Sequence, residues 1–72
     1  MSDQEKLAML EEIMDIDEGS LTPDDILADY PEWDSIATLS YIAMLDSDFH
    51  KMIKGDVVKA FIKVQDAMDL ME

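Results

Sequence analysis

The sequence predicts an all-α fold, a small bundle of three to four helices with a long loop between the first and second. Apolar residues recur at helical spacing in three stretches, and no stretch alternates as a strand over more than a few residues. The first two of those stretches carry no interior Gly or Pro. Seventy-two residues with no cysteine leave room for one small domain over positions 1–72, with no disulfide to brace it. A chain of this length buries only about 60% of the surface it exposes when unfolded, so its core is thin.

The first helix is predicted from about Asp3 to Met14, where Leu7, Leu10, Ile13 and Met14 make one apolar face. Ser2 or Asp3 can cap it, and Glu5 places negative charge in the first turn, where the helix dipole favours it. Asp15 to Ser20 ends it. A long loop follows from Gly19 to Trp33. Within it Thr22-Pro23-Asp24-Asp25 reads as a cap plus a first-position proline, which predicts a helical turn around Asp24 to Ala28. Ile26, Tyr30 and Trp33 are expected to pin the loop to the core, and Pro31 biases Tyr30 toward extended backbone. A loop this long in a small domain points to function. The second helix is expected to start at Asp34 or Ser35 and reach about Ser47, with Ile36, Leu39, Ile42 and Ala43 as its buried stripe. After a connector from Phe49 to Gly55, Asp56 can cap a last helical region running to about Leu70. There Val57, Phe61, Val64, Ala67 or Met68, and Met71 recur at helical spacing, which leaves open one helix or two.

The net charge is −13 and unevenly placed. Residues 1–48 hold fourteen acids against Lys6; residues 49–72 hold four acids against Lys51, Lys54, Lys59 and Lys63. Such a surface repels phosphate backbones and anionic headgroups, which argues against nucleic-acid and membrane partners and for fast, salt-sensitive encounters with basic protein patches. Acidity for solubility alone is the plain alternative. No apolar run approaches the roughly 20 residues that span a bilayer. The N-terminal residues lack a signal-peptide pattern. A cytoplasmic monomer is the expectation.

Little catalytic chemistry is available. One histidine, His50, cannot assemble a triad or a zinc cage, and it is expected on the surface. The run from Asp15 to Ser20 superficially suggests an EF-hand, but glycine falls at the fifth position and Ile26 at the twelfth, where that loop needs glycine sixth and glutamate twelfth. Seven methionines read as core filler for Met14 and Met68; Met44 and Met52 are open to a role in an adaptable core that parts to admit an acyl chain. Ser35 is the residue with chemistry to offer. Asp34-Ser35 at a helix start is ordinary capping chemistry, yet a phosphodiester there would meet unpaired backbone N–H groups and the favourable end of the dipole. With no thiol in the chain, thioester chemistry would need an arm attached at such a point.

The stretch from Asp34 to Phe49 resembles the acyl carrier protein family, in which Asp-Ser-Leu opens the second helix. The likeness extends through the order of elements to Val64-Gln65-Asp66-Ala67-Met68-Asp69-Leu70-Met71, similar to that family's last helix. The resemblance implies a carrier, not an enzyme. It implies 4'-phosphopantetheine on Ser35, with Asp34 as the family's preceding aspartate and Ile36 in place of leucine. It implies a phosphopantetheinyl transferase and acyl-processing enzymes with basic docking patches as partners. Family members also show acids two and five residues after the serine, where this chain has Ala37 and Ser40, and Tyr30-Pro31-Glu32-Trp33 replaces the usual Leu-Gly-x. Docking charge is thus displaced to Asp29 and Glu32 before the site and Asp46 and Asp48 after it, which suggests a specialised rather than a housekeeping fatty-acid carrier. An aminoacyl or peptidyl carrier, and an acidic helical adaptor with no covalent cargo, remain the alternatives.

Overall fold

The computed structural model describes all 72 residues. Four helices follow one another: α1 (Asp3–Met14), α2 (Ser35–Phe49), α3 (Gly55–Lys59) and α4 (Val64–Met68), with a 3-10 turn at Leu27–Asp29 inside the loop that joins α1 to α2. There is no strand; one isolated antiparallel bridge links Ile26 to Lys63. The last helical region is therefore two short helices, broken from Ala60 to Lys63.

α1 begins with a reciprocal cap, in which the Ser2 hydroxyl accepts the Glu5 N–H and the Glu5 carboxylate accepts the Ser2 N–H. Leu10 and Met14 are buried, with Leu7 and Ile13 half-buried beside them. Asp15 closes the helix in left-handed backbone at φ 55°. Glu11 is the one charged side chain buried in the fold, 4% exposed, and it accepts the Leu21 N–H at 2.9 Å. That bond ties the loop back to α1 just before Leu21 enters the core.

The loop departs from expectation in one respect. Thr22 to Asp25 forms a turn rather than a helix start: Asp25 Oδ2 accepts the Thr22 N–H at 2.8 Å and the Tyr30 hydroxyl at 2.9 Å. Asp25 thus ties Thr22 to Tyr30 across the loop, and the helical turn forms at Leu27–Asp29. The anchors are Leu21 and Leu27, both buried, with Ile26, Tyr30 and Trp33 half-buried. Tyr30 is extended, φ −108° and ψ 108°, as its following proline favours.

α2 turns a different face inward from the one expected. Ala37, Tyr41 and Leu45 are buried, while Ile36 is 73% and Leu39 66% exposed, and Ala43 is exposed too. By the 3.6-residue period the two sets lie on roughly opposite sides of the helix, with Ile42, half-buried, on the boundary. Tyr41 decides the orientation. Its ring packs edge-on against Trp33 (centroids 5.8 Å, 69°) and Phe61 (5.6 Å, 88°), and its hydroxyl donates to the Ala67 carbonyl at 2.6 Å. A buried tyrosine needs a partner for its O–H, and α4 supplies one.

α3 and α4 are held by the loop as much as by each other. The Ile62 carbonyl accepts the Leu27 N–H, and the Val64 and Gln65 N–H groups donate to the Asp25 and Pro23 carbonyls, each at 2.9 Å. Asp56 lies in the first turn of α3, whose cap position is Lys54. Val58, not the exposed Val57, fills the core from α3; Val64, Ala67, Met68 and Met71 complete it.

Candidate functional site

Asp34 caps α2. Its backbone is extended and its Oδ1 accepts the Ala37 N–H at 2.9 Å, while its carbonyl accepts both the N–H and the hydroxyl of Thr38 at 2.9 Å. With the cap supplied by Asp34, Ser35 is left as the first residue of the helix, exposed and without that structural duty. The Ser35 and Ile36 N–H groups are among the donors that any helix start leaves without intrahelical partners. The end of α2 that bears Ser35 is therefore capped, solvent-facing and suited to an anion.

A groove of about 610 Å³ opens beside Ser35, between the start of α2 and α3. Its apolar walls are Leu27, Trp33, Leu39, Ile42, Val58 and Phe61. Asp34, Ser35, Thr38 and Lys59 form its polar edge. Sequence reasoning did not find this groove. Val58 and Phe61 are three residues apart, a helical spacing, but nothing local indicates that their face meets α2 across an open space. Neither Met44 nor Met52, the methionines left open by the sequence, lines this groove. Met44 lies on the other side of α2, in a shallow depression with Met9, Ile13 and Glu12, and Met52 is 90% exposed. Aromatic and branched side chains line the groove, and these do not give way as an unbranched thioether does.

The acids proposed for docking fall into two groups. Asp29 ends the 3-10 turn and Glu32 lies in the turn before α2; both are exposed and sit in the chain just before Ser35. Asp46 and Asp48, also exposed, occupy the last turns of α2, about 18 and 21 Å along the axis from Asp34 at 1.5 Å per residue. Between them α2 carries no charge from Ser35 to Leu45. The Ala37 position cannot carry a docking acid: it is 2% exposed, so a carboxylate there would enter the core. Ser40 is exposed and open to such a change.

The electrostatics of the loop keep its shape. The Thr22 N–H, followed by the Tyr30 hydroxyl, holds the Asp25 carboxyl below its ordinary value. The same bond, with partial burial and the charges of Asp25, Glu32 and Asp29, pushes the Tyr30 hydroxyl up. Burial, followed by the Asp69 charge, pushes Tyr41 well above its usual range, so both tyrosines stay neutral donors at physiological pH. No cluster of three or more Asp, Glu or His side chains is placed to hold a metal ion. The chain matches no protein-family model, no curated protein and no solved structure.

Proposed function

We propose that this protein is a discrete acyl carrier, modified on Ser35 and acting as a substrate for other enzymes rather than as a catalyst. The observation that supports this most is an exposed serine, relieved of capping by Asp34, on the first residue of a helix beside an apolar groove. A 4'-phosphopantetheine arm would supply the thiol that the cysteine-free chain lacks, and with it the capacity to carry acyl groups as thioesters.

The chain's own residues have distinct parts in this. The Ser35 oxygen attacks the pyrophosphate of coenzyme A in the active site of a phosphopantetheinyl transferase. An O–P bond forms, the pyrophosphate bond breaks, adenosine bisphosphate leaves, and the hydroxyl proton passes to a base of the transferase. Asp34 fixes the first turn through Ala37 and Thr38, so Ser35 is presented in one orientation. The N–H groups of Ser35 and Ile36, at the first two positions of α2, would be the donors available to a phosphodiester carried there. Asp29, Glu32, Asp46 and Asp48 offer charges to basic partner surfaces at the two ends of α2, where rim charges act mainly on association rate. No helix is long and apolar enough to cross a membrane, and the proposed site of action is the cytoplasm.

Intact mass after incubation with coenzyme A, Mg²⁺ and a broad-specificity transferase tests the reading. A gain of one phosphopantetheine, mapped to Ser35, is the expected result. No gain overturns it in favour of the second reading, an interaction module that docks through the exposed Ile36 and Leu39 and carries nothing covalently. A gain mapped to Ser40 or Ser47 would overturn the site. An aminoacyl cargo in place of an acyl one would leave this result unchanged and is addressed by the groove itself.

A further inference from the structure

The walls of the groove beside Ser35 carry two aromatic rings, Trp33 and Phe61. Both are half-buried, and both are braced from behind by Tyr41, which meets each of them edge to face. Tyr41 is itself fully buried and fixed in rotation by its bond to the Ala67 carbonyl. The two rings are therefore set before any ligand arrives, and binding against them costs little side-chain entropy. Leu27, Ile42 and Val58 close the remaining apolar wall, and Ser35 lies on the rim, so the end of an arm attached there can fold back against the rings.

From this we infer that the groove takes an acyl group ending in an aromatic ring, with Trp33 and Phe61 as the residues that select it. The inference rests on the carrier reading and names the class of cargo for the same site. A saturated chain gains only the area it buries against these walls. A ring gains that area plus the offset or edge-on contact that aromatic pairs prefer, which corresponds to a preference of about two- to twelve-fold over an alkyl chain of equal carbon count. A small polar aminoacyl group gains neither.

The experiment loads the wild-type chain from 4-phenylbutyryl-coenzyme A or decanoyl-coenzyme A with the same transferase, then follows cleavage of each thioester by hydroxylamine. Docking in the groove shields the thioester, so the cargo that docks more strongly is cleaved more slowly. The aryl cargo should be cleaved more slowly than the alkyl one, by up to about twelve-fold, and it should shift the emission of Trp33, the only tryptophan in the chain, further than the alkyl cargo does. Phe61→Leu should reduce the difference while helicity is retained, and Trp33→Leu provides the same test by cleavage rate if Phe61→Leu does not fold. Equal cleavage of the two cargoes, slower cleavage of the alkyl one, or a difference undiminished in both variants overturns the inference. Failure of the transferase to modify Ser35 overturns the carrier reading instead. The two N-acetylcysteamine thioesters are then titrated against the unmodified chain: tighter binding of the aryl compound keeps the groove's preference, and equal binding ends it.

Discussion

The two halves of this chain are helical for different reasons. Residues 1–48 carry all of the net charge and, with Phe49, two helices of twelve and fifteen residues, each started by a side-chain cap, Ser2 for α1 and Asp34 for α2. Residues 49–72 are neutral overall and hold two helices of five residues each, too short to persist alone. Their order comes from outside: the loop backbone at Pro23, Asp25 and Leu27, and the Tyr41 hydroxyl on Ala67. Local sequence supplies the start signals of both helices in the first half. Tertiary contact makes the second, and that second half supplies one wall of the groove.

Tyr41 is the strongest link between the halves, and its loss is the largest effect expected. Tyr41→Ala should cost about 3–5 kcal/mol, the range for truncating a buried aromatic. That approaches the whole stability of a small domain. Tyr41→Phe leaves the Ala67 carbonyl without its donor and should cost about 1–3 kcal/mol. Hydrogen exchange checks the comparison directly: in Tyr41→Phe the α4 amides should lose protection while those of α1 keep theirs. Uniform loss in both would show that the halves are one cooperative unit.

Glu11 sharpens the comparison from the other side, because it holds the loop to α1. Glu11→Ala removes the only side-chain acceptor of the Leu21 N–H and should cost about 1–3 kcal/mol. Glu11→Gln keeps an acceptor and should cost less. Melting temperatures of the two variants decide this. An equal loss would mean that the charge, not the hydrogen bond, matters at that position.

The same contrast explains what the sequence revealed. α1 runs over the residues its spacing and caps predict, and α2 starts at the predicted Asp34-Ser35 and extends two residues beyond Ser47. The buried face of α2 was not legible. Apolar residues lie on both sides of that helix and no charge marks the outer face before Asp46, so periodicity alone could not choose between Ile36-Leu39 and Ala37-Tyr41. A small residue and a tyrosine went inward because a ring from the loop, a ring from the α3–α4 break and a carbonyl from α4 were waiting there. Ser35 was legible because its position depends only on a local cap. The groove was not, because its walls come from four separate stretches of chain.

A smaller effect concerns pH. The Lys63 N–H, followed by that of Ile62, holds the Asp66 carboxyl below its ordinary value, and Asp25 is lowered by the Thr22 N–H and then by Tyr30. A folded-state pKa below the unfolded value of about 3.9 gives a contribution that is complete above that pH and is lost as pH falls through the folded value. The stability gap between wild type and Asp66→Ala should therefore be constant near neutrality and close in acid. Self-repulsion among the acids of residues 1–48 has the opposite sign, since protonation or salt relieves it, and comparing the variant with wild type at each pH cancels most of that background. A gap that widens in acid would show that Asp66 does not act through those bonds.

Ser35→Ala should have the smallest effect on stability and the largest on chemistry. Asp34, not Ser35, bonds the Ala37 N–H, so removing the serine hydroxyl leaves the cap intact, and alanine is a better helix former than serine. The stability should stay within the range of an ordinary surface substitution, about ±0.5 kcal/mol, while modification by the transferase is lost. Asp34→Ala should do the reverse. It removes the cap at about 1 kcal/mol and leaves the reactive hydroxyl in place, so modification should slow but continue. Measuring melting and intact mass on both variants separates the residue that builds the helix start from the residue that uses it. Loss of modification in Asp34→Ala with full stability would mean that the aspartate is read by the transferase rather than by the helix.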